Sequence, residues 1–247
     1  MNLLRDEELV CLIAQSGGKW IFMGLESIDP GNLKSVAKGF NKPDEYAAVL
    51  ERLARHGLYA ITSFIFGMDG DRPGTAERTL EQIRSWPPGL PVFGLLTPYP
   101  ATPLYNKLAS ADRLTRPKHW LEFKPFVMAH SPLGLSAEQA EAEVRSAWRS
   151  SYSPSTIDSA MKWLEAKPIG DRIMHLCARL AFRGIYFPQM RRRDWVRLLI
   201  SNRGPILDVL GQALKVKFAS QPKGFPSMAA AGENRGPHDE SVFKGCG

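Results

Sequence analysis

Three short polar stretches of this chain follow apolar runs and could bring reactive side chains to one place: Glu26-Ser27, Asp69-Gly70-Asp71 and Thr97-Pro98-Tyr99. A carboxylate such as Glu26 can accept hydrogen bonds from ligand hydroxyls, but standing alone it is better read as a helix cap or as the partner of an Arg or Lys. Asp69 and Asp71 have the spacing that opens a calcium loop. Such a loop would need an acid at position 73 and Glu at position 80, where Pro73 and Leu80 stand, so both aspartates read as turn formers. The three cysteines, Cys11, Cys177 and Cys246, are odd in number and scattered, which excludes a disulfide framework and a local metal cluster. His175 and Cys177, two apart on a helix, point about 200° away from each other and cannot share a ligand. Cys177 is expected in the core and His175 at the surface, and no metal site is expected.

The elements that would hold these residues alternate in type. Trp20 to Leu25 is an uninterrupted apolar run of strand length, as in a parallel strand covered on both faces. A helix follows with Pro43 at its start, acids in its first turn, Tyr46, Val49, Leu50 and Leu53 on one face, and Gly57 as its stop. Leu58 to Gly67 is a β-branched and aromatic strand, Thr75 to Ser85 a helix, and Val92 to Leu96 a third strand. This alternation predicts an α/β fold with parallel strands, whose chemistry collects at the strands' carboxyl ends. No GxGxxG follows the first strand, so a barrel segment fits better than a dinucleotide-binding sheet.

Beyond an extended piece, His119 to Met128, the chain turns helical. Ser136 with Gln139 is a capping box ahead of an apolar stripe of Val144, Ala147 and Trp148. Ser153-Pro154 opens a helix facing inward through Ile157, Met161 and Leu164. Pro168 opens another, with Ile173, Leu176, Cys177 and Leu180 on one side and a basic stripe of Arg172, His175, Arg179 and Arg183 on another. Further helices are expected over 194–202 and 205–217, and a disordered tail from Gln221.

Composition is that of an ordinary globular chain, 44% apolar and 23% charged, which excludes collagen, coiled coil and wholesale disorder. The acidic N-terminus and the lack of a long apolar run point to the cytoplasm. The net charge of +7 is unevenly spread: residues 1–166 hold 18 Lys and Arg against 19 Asp and Glu, whereas residues 167–223 hold 12 against 3. For this basic segment, solvated helical surface is the first reading. A surface facing a membrane or a lipid-like substrate comes second, because Arg191-Arg192-Arg193 stand beside Trp195, Leu198 and Leu199. Nucleic-acid binding comes third, since no recognition signature accompanies the charge.

The succession GLES (24–27), KGFNKP (38–43), HGL followed by SFIFGMDGD (63–71), and TPYPATPLY (97–105) resembles the later half of a radical S-adenosylmethionine barrel, of the type that carries a cobalamin-binding domain. The resemblance covers about residues 1–165 and implies the last three strand-helix units of a (βα)6 partial barrel. It implies that Glu26 and Ser27 contact the ribose of S-adenosylmethionine, that Ile65 and Gly67 lie along its adenine, and that Thr97, Pro98 and Tyr99 stand near cofactor and substrate. Ser63 and Gly70 depart from the pattern GxIxGxxE at its first Gly and its Glu.

The larger departure is an absence. The CxxxCxxC loop that holds the family's 4Fe-4S cluster does not occur in this sequence, and three scattered thiols do not replace it. The chain is therefore expected to be the C-terminal portion of a radical enzyme, from a truncated gene, a split gene or a misplaced start codon. It would supply cofactor contacts and part of the substrate cavity, while cluster and cobalamin belong to a missing portion, with a separately encoded N-terminal half as the partner to seek. A half barrel would span 1–133, a basic helical domain 134–220 and the tail 221–247. The alternative is a non-catalytic remnant that binds a membrane or partner through its basic helices. Two open sheet edges also predict self-association of an isolated half barrel.

Overall fold

The apolar runs form three strands, β1 (Trp20–Glu26), β2 (Tyr59–Phe66) and β3 (Leu90–Leu95). They lie parallel in the order β1-β2-β3, with Ser63 level with both Gly24 and Val92. The protein is seen in a computed structural model that describes residues 6–115, 123–124, 126–186 and 192–219. The helices are α1 (Glu7–Gln15), α2 (Pro30–Ser35), α3 (Tyr46–Arg55), α4 (Thr75–Arg84), α5 (Pro103–Ser110), α6 (Ala137–Ser151), α7 (Pro154–Trp163), α8 (Ile169–Tyr186), α9 (Arg192–Ser201) and α10 (Arg203–Ala219). The three strands form an open α/β sheet with helices after it, and barrel closure is not seen among the described residues. The expected tail, the side chains of Arg183 and Arg191, and half of the His119 to Met128 stretch lie outside those residues.

Local signals set the helix starts. Asp29, Thr102, Ser136 and Ser153 each accept a backbone N–H of the first turn of α2, α5, α6 and α7, and Ser136 and Gln139 complete the reciprocal capping box. Pro43 opens a short 3-10 turn (Pro43–Glu45) ahead of α3.

The two sheet faces differ. Ala60, Phe64 and Phe66 on β2 join Phe93 and Leu95 on β3 in a core with Val49, Leu53, Leu80, Val144 and Trp148 from α3, α4 and α6. Phe93 stacks on Phe64 and on Phe66 at 5.9 Å and meets Trp148 edge-on at 5.5 Å, while the indole N–H of Trp148 donates to the Phe93 carbonyl at 2.8 Å. Helix α6 is thereby tied to the edge strand. On the opposite face Ile61, Ser63 and Ile65 are only half-buried, and Phe22 is 67% exposed.

A second core surrounds Tyr59 at the amino ends of the strands, with Ile157 and Met161 of α7, Leu176 of α8 and Val209 of α10. It corrects the reading of α8. His175 is 0% exposed, Arg172 1% and Arg179 2%, whereas Ile173 and Cys177 are exposed. The strand ends offer aromatic faces and polar groups, and these favour the stripe that carries His175. Its ring lies 4.1 Å from that of Tyr59 and 4.5 Å from that of Trp20. Arg172 reaches Asp208 at 2.6 Å, and Arg179 donates to the Gly89 carbonyl at 2.7 Å. Two of the segment's cations, Arg172 and Arg179, are thus inside the protein, while Arg192, Arg193, Arg197, Arg203, Lys215 and Lys217 are on its surface.

Candidate functional site

The carboxyl ends of the strands bring the sequence-predicted residues to one end of the sheet. At the end of β1, pairing with β2 shifts register between Gly24 and Glu26, and Glu26 adopts a left-handed backbone with φ 66°. That conformation costs a non-glycine residue roughly 1–2 kcal/mol. It is held by two buried side chains: the Tyr46 hydroxyl donates to the carbonyls of Leu25 at 2.9 Å and Ser27 at 3.1 Å, and the Asn41 amide donates to those of Gly24 at 2.9 Å and Leu25 at 3.3 Å. Burial, and secondly the charge of Glu26, push the Tyr46 hydroxyl well above its ordinary value, so it acts here as a neutral donor. The Glu26 carboxylate is turned back over Gly24, with Lys38 at 3.5 Å, and is 17% exposed. Ser27 is buried, and its hydroxyl accepts the Asp29 N–H at 3.0 Å.

At the end of β2, Gly67 has φ 84° and opens the loop. Asp71, 2% exposed, accepts the N–H groups of Gly67 at 2.8 Å and Met68 at 3.1 Å, and the Asn32 side-chain amide at 2.7 Å. Asn32 in turn accepts the Gly70 N–H at 3.0 Å. The loops after β1 and β2 are therefore locked to each other. Burial raises the Asp71 carboxyl to about 6 against the lowering effect of its donors. Neither aspartate is arranged as a calcium ligand: Asp71 is spent inside its turn, and Asp69 is paired with Arg113, which also donates through Nε to the Ser131 carbonyl at 2.9 Å.

Beyond β3, the Thr97 hydroxyl donates to the Leu95 carbonyl at 3.0 Å, Pro98 is buried, and Tyr99 is half-exposed with its ring 6.4 Å from that of Phe123. Ile65 lies on the open sheet face, level with Gly94. Glu26, Gly67 and Thr97 thus share one end of the sheet, while Ser27, Gly67 and Pro98 offer little side-chain surface.

Two residues of this end escaped the sequence reading. Arg113 holds Asp69 and lowers its carboxyl, and His130 is 1% exposed with Nδ1 unpartnered, its basicity reduced first by burial and then by Arg113. They meet through the isolated antiparallel bridge between Leu114 and His130. Only the common arrival of two loops marks them, and no spacing along the chain announces it. Elsewhere Glu7, Cys11 and His56 place ligand-type atoms within 4.8 Å, but Glu7 is already paired with Arg52 at 2.7 Å and with His56 at 2.6 Å.

This end of the sheet can hold a hydroxyl-bearing ligand with one carboxylate backed by a lysine, and it offers backbone at Gly67 and Gly24. No family model matches the chain. It is 32% identical over 169 residues to the bacteriochlorophyllide d C-12(1)-methyltransferase of Chlorobaculum tepidum, a match covering 68% of this chain and 36% of the relative. It is 26% identical over 130 residues to the hopanoid C-2 methylase of Rhodopseudomonas palustris, covering 53% of the chain and 25% of that protein. It is 27% identical over 107 residues to the anaerobic magnesium-protoporphyrin IX monomethyl ester cyclase of Rubrivivax gelatinosus, covering 43% and 19%. The chain therefore has distant homology, over part of its length, to B12-binding radical S-adenosylmethionine methyltransferases and a cyclase. The matched region spans about a third or less of the length of these relatives.

Proposed function

We propose that the chain forms the later-strand part of a cobalamin-associated radical S-adenosylmethionine enzyme, with methyl transfer as the class of reaction. The observation that carries this reading is Glu26: a strained, bulged strand end holds a partly accessible carboxylate where the cofactor's ribose would stand, in a chain that is homologous over part of its length to methyltransferases. Glu26 would accept the ribose hydroxyls, Ile65 and the Gly67 backbone would lie along the adenine, Ser27 would act through the loop it fastens, and Thr97, Pro98 and Tyr99 would border the cavity. When bound, S-adenosylmethionine supplies the sulfonium and the adenosyl group.

The cluster does not fit the cysteines present. Cys11 is buried on α1, Cys177 is exposed on α8, and neither stands in a CxxxCxxC loop. No step is assigned to a cluster on this chain, and activity would require a cluster-bearing region, for example on a separately encoded polypeptide. The test is titration of the purified chain with S-adenosylhomocysteine beside Glu26→Gln. Weak saturable binding that the variant loses by about tenfold supports the reading, since a hydrogen bond to a charged group contributes about 1.5–3 kcal/mol. Equal binding by both overturns the role of Glu26.

A second reading rests on the last two helices. Helices α9 and α10 expose Trp195, Leu199, Ile200, Leu207, Leu210 and Phe218 beside Arg192, Arg193 and Arg197. This combination suits the surface of an anionic membrane or a lipid-like substrate. Among the described residues no helix is long and apolar enough to cross a membrane. Flotation with anionic but not neutral vesicles, lost in Trp195→Glu/Leu199→Glu, supports this reading, and absence of flotation rejects it.

A further inference from the structure

A cavity lies at the opposite end of the sheet from Glu26. It holds about 460 Å³ between the end of α4, the start of β3 and helices α6, α7 and α8. Its apolar surface comes from Ile83, Trp86 and Trp163, and its mouth carries Ser155 and Ser159, both exposed.

Two lining residues are buried polar groups left incompletely satisfied. Arg179 is 2% exposed; one guanidinium nitrogen donates to the Gly89 carbonyl at 2.7 Å, but Nε has no partner, and no acid is paired with it among the described residues. Ser151 is 4% exposed and its hydroxyl has no partner either. A buried cation without a counter-charge is costly, and burial lowers the Arg179 guanidinium to about 10. Its neighbour on the same stripe, Arg172, has Asp208 for a partner. The contrast marks Arg179 as the one with no counter-charge among the described residues.

We propose that this cavity binds an amphipathic organic carboxylate, whose anionic end meets the Arg179 guanidinium while its apolar body packs against Trp86 and Trp163. A carboxylate offers the guanidinium both acceptors and a counter-charge, which water or a neutral alcohol cannot match. The cavity's size and apolar walls are those of small-molecule sites. The site is separate from the strand ends that carry Glu26, so its failure and that of the cofactor site are independently readable.

The test is calorimetric titration of the full chain with octanoate and with octan-1-ol. Octanoate is expected to bind at one site, at least about tenfold more tightly than the alcohol, because a charged hydrogen-bonded pair is lost with the carboxylate. Arg179→Met is expected to weaken octanoate by about tenfold or more and to abolish the preference over the alcohol. Ser159→Trp, a substitution at the exposed mouth, is expected to block both ligands while the fold is kept, and it carries the test should Arg179→Met not fold. No saturable octanoate binding, equal binding of the alcohol, or octanoate binding unchanged in Ser159→Trp would overturn the proposal.

Discussion

The carboxylate of Glu26 occupies the space over Gly24: a Cβ built on residue 24 would stand 2.6 Å from Glu26 Oε1. One residue has no side chain so that the other can be placed. Because Oε1 is the end of a flexible chain, Gly24→Ala is expected to move the carboxylate rather than unfold the protein. Stability should change by less than about 1 kcal/mol, while S-adenosylhomocysteine binding falls by about tenfold. Urea unfolding and ligand titration on the same variant check both halves.

Asp71 accepts three donors at once, two from the backbone and one from Asn32. Asp71→Asn would set two amide nitrogens against each other, and a flip of Asn32 to relieve them would strip the Gly70 N–H of its acceptor. A loss of about 1–3 kcal/mol is expected, read from the urea midpoint.

The pH dependence contributed by Asp71 and by His175 should run in opposite directions. The Asp71 carboxyl is raised in the fold to about 6, so the native state binds the extra proton and Asp71's contribution declines as pH rises from its unfolded value through 6. His175 is pushed down to about 3, first by burial and then by Arg179, so stability that it contributes is fully present above its unfolded value and is lost as pH falls from there toward 3. His175→Phe keeps an aromatic ring between Trp20 and Tyr59 and should flatten the acid side of the stability profile. Asp71→Asn should steepen it. Urea midpoints between pH 4 and pH 8 separate the two.

Arg113 clamps the loop after β2 to the segment before α6, through Asp69 and the Ser131 carbonyl. Arg113→Met should cost about 1 kcal/mol and speed amide exchange at Leu133, whose N–H donates to Asp69 at 3.3 Å, without affecting α3. Uniform acceleration across the chain would show that the clamp is not local.

Iron and sulfide reconstitution under anaerobic conditions should leave the chain far short of about four irons, because its thiols are not arranged as a cluster loop. Stoichiometric uptake with the visible thiolate-to-iron band would reject the assignment of the cluster to another region.

Much of the fold is local in origin and so was legible in order. The run from Trp20 becomes β1, the Ser136–Gln139 box starts α6, and Pro43, Ser153 and Pro168 stand at helix starts, because period, caps and proline geometry act over a few residues. Short helices α2 and α5 were not anticipated, since six and eight residues give too little periodicity to read. The strand-end residues were found by position, but their state was not. That Ser27 is spent as an acceptor within its own loop, that Asp71 rather than Asp69 is buried, and that Arg113 and His130 reach this end are outcomes of which loops meet. Helix α8 shows the difference most directly. Its pattern carried an apolar and a basic stripe, and burying the apolar one was the local expectation. The tertiary structure buried Leu176 as expected but turned Arg172, His175 and Arg179 inward and left Ile173 and Cys177 exposed, because Trp20, Tyr59, Asp208 and the Gly89 carbonyl offered those heads and ring specific partners that a sequence pattern does not contain.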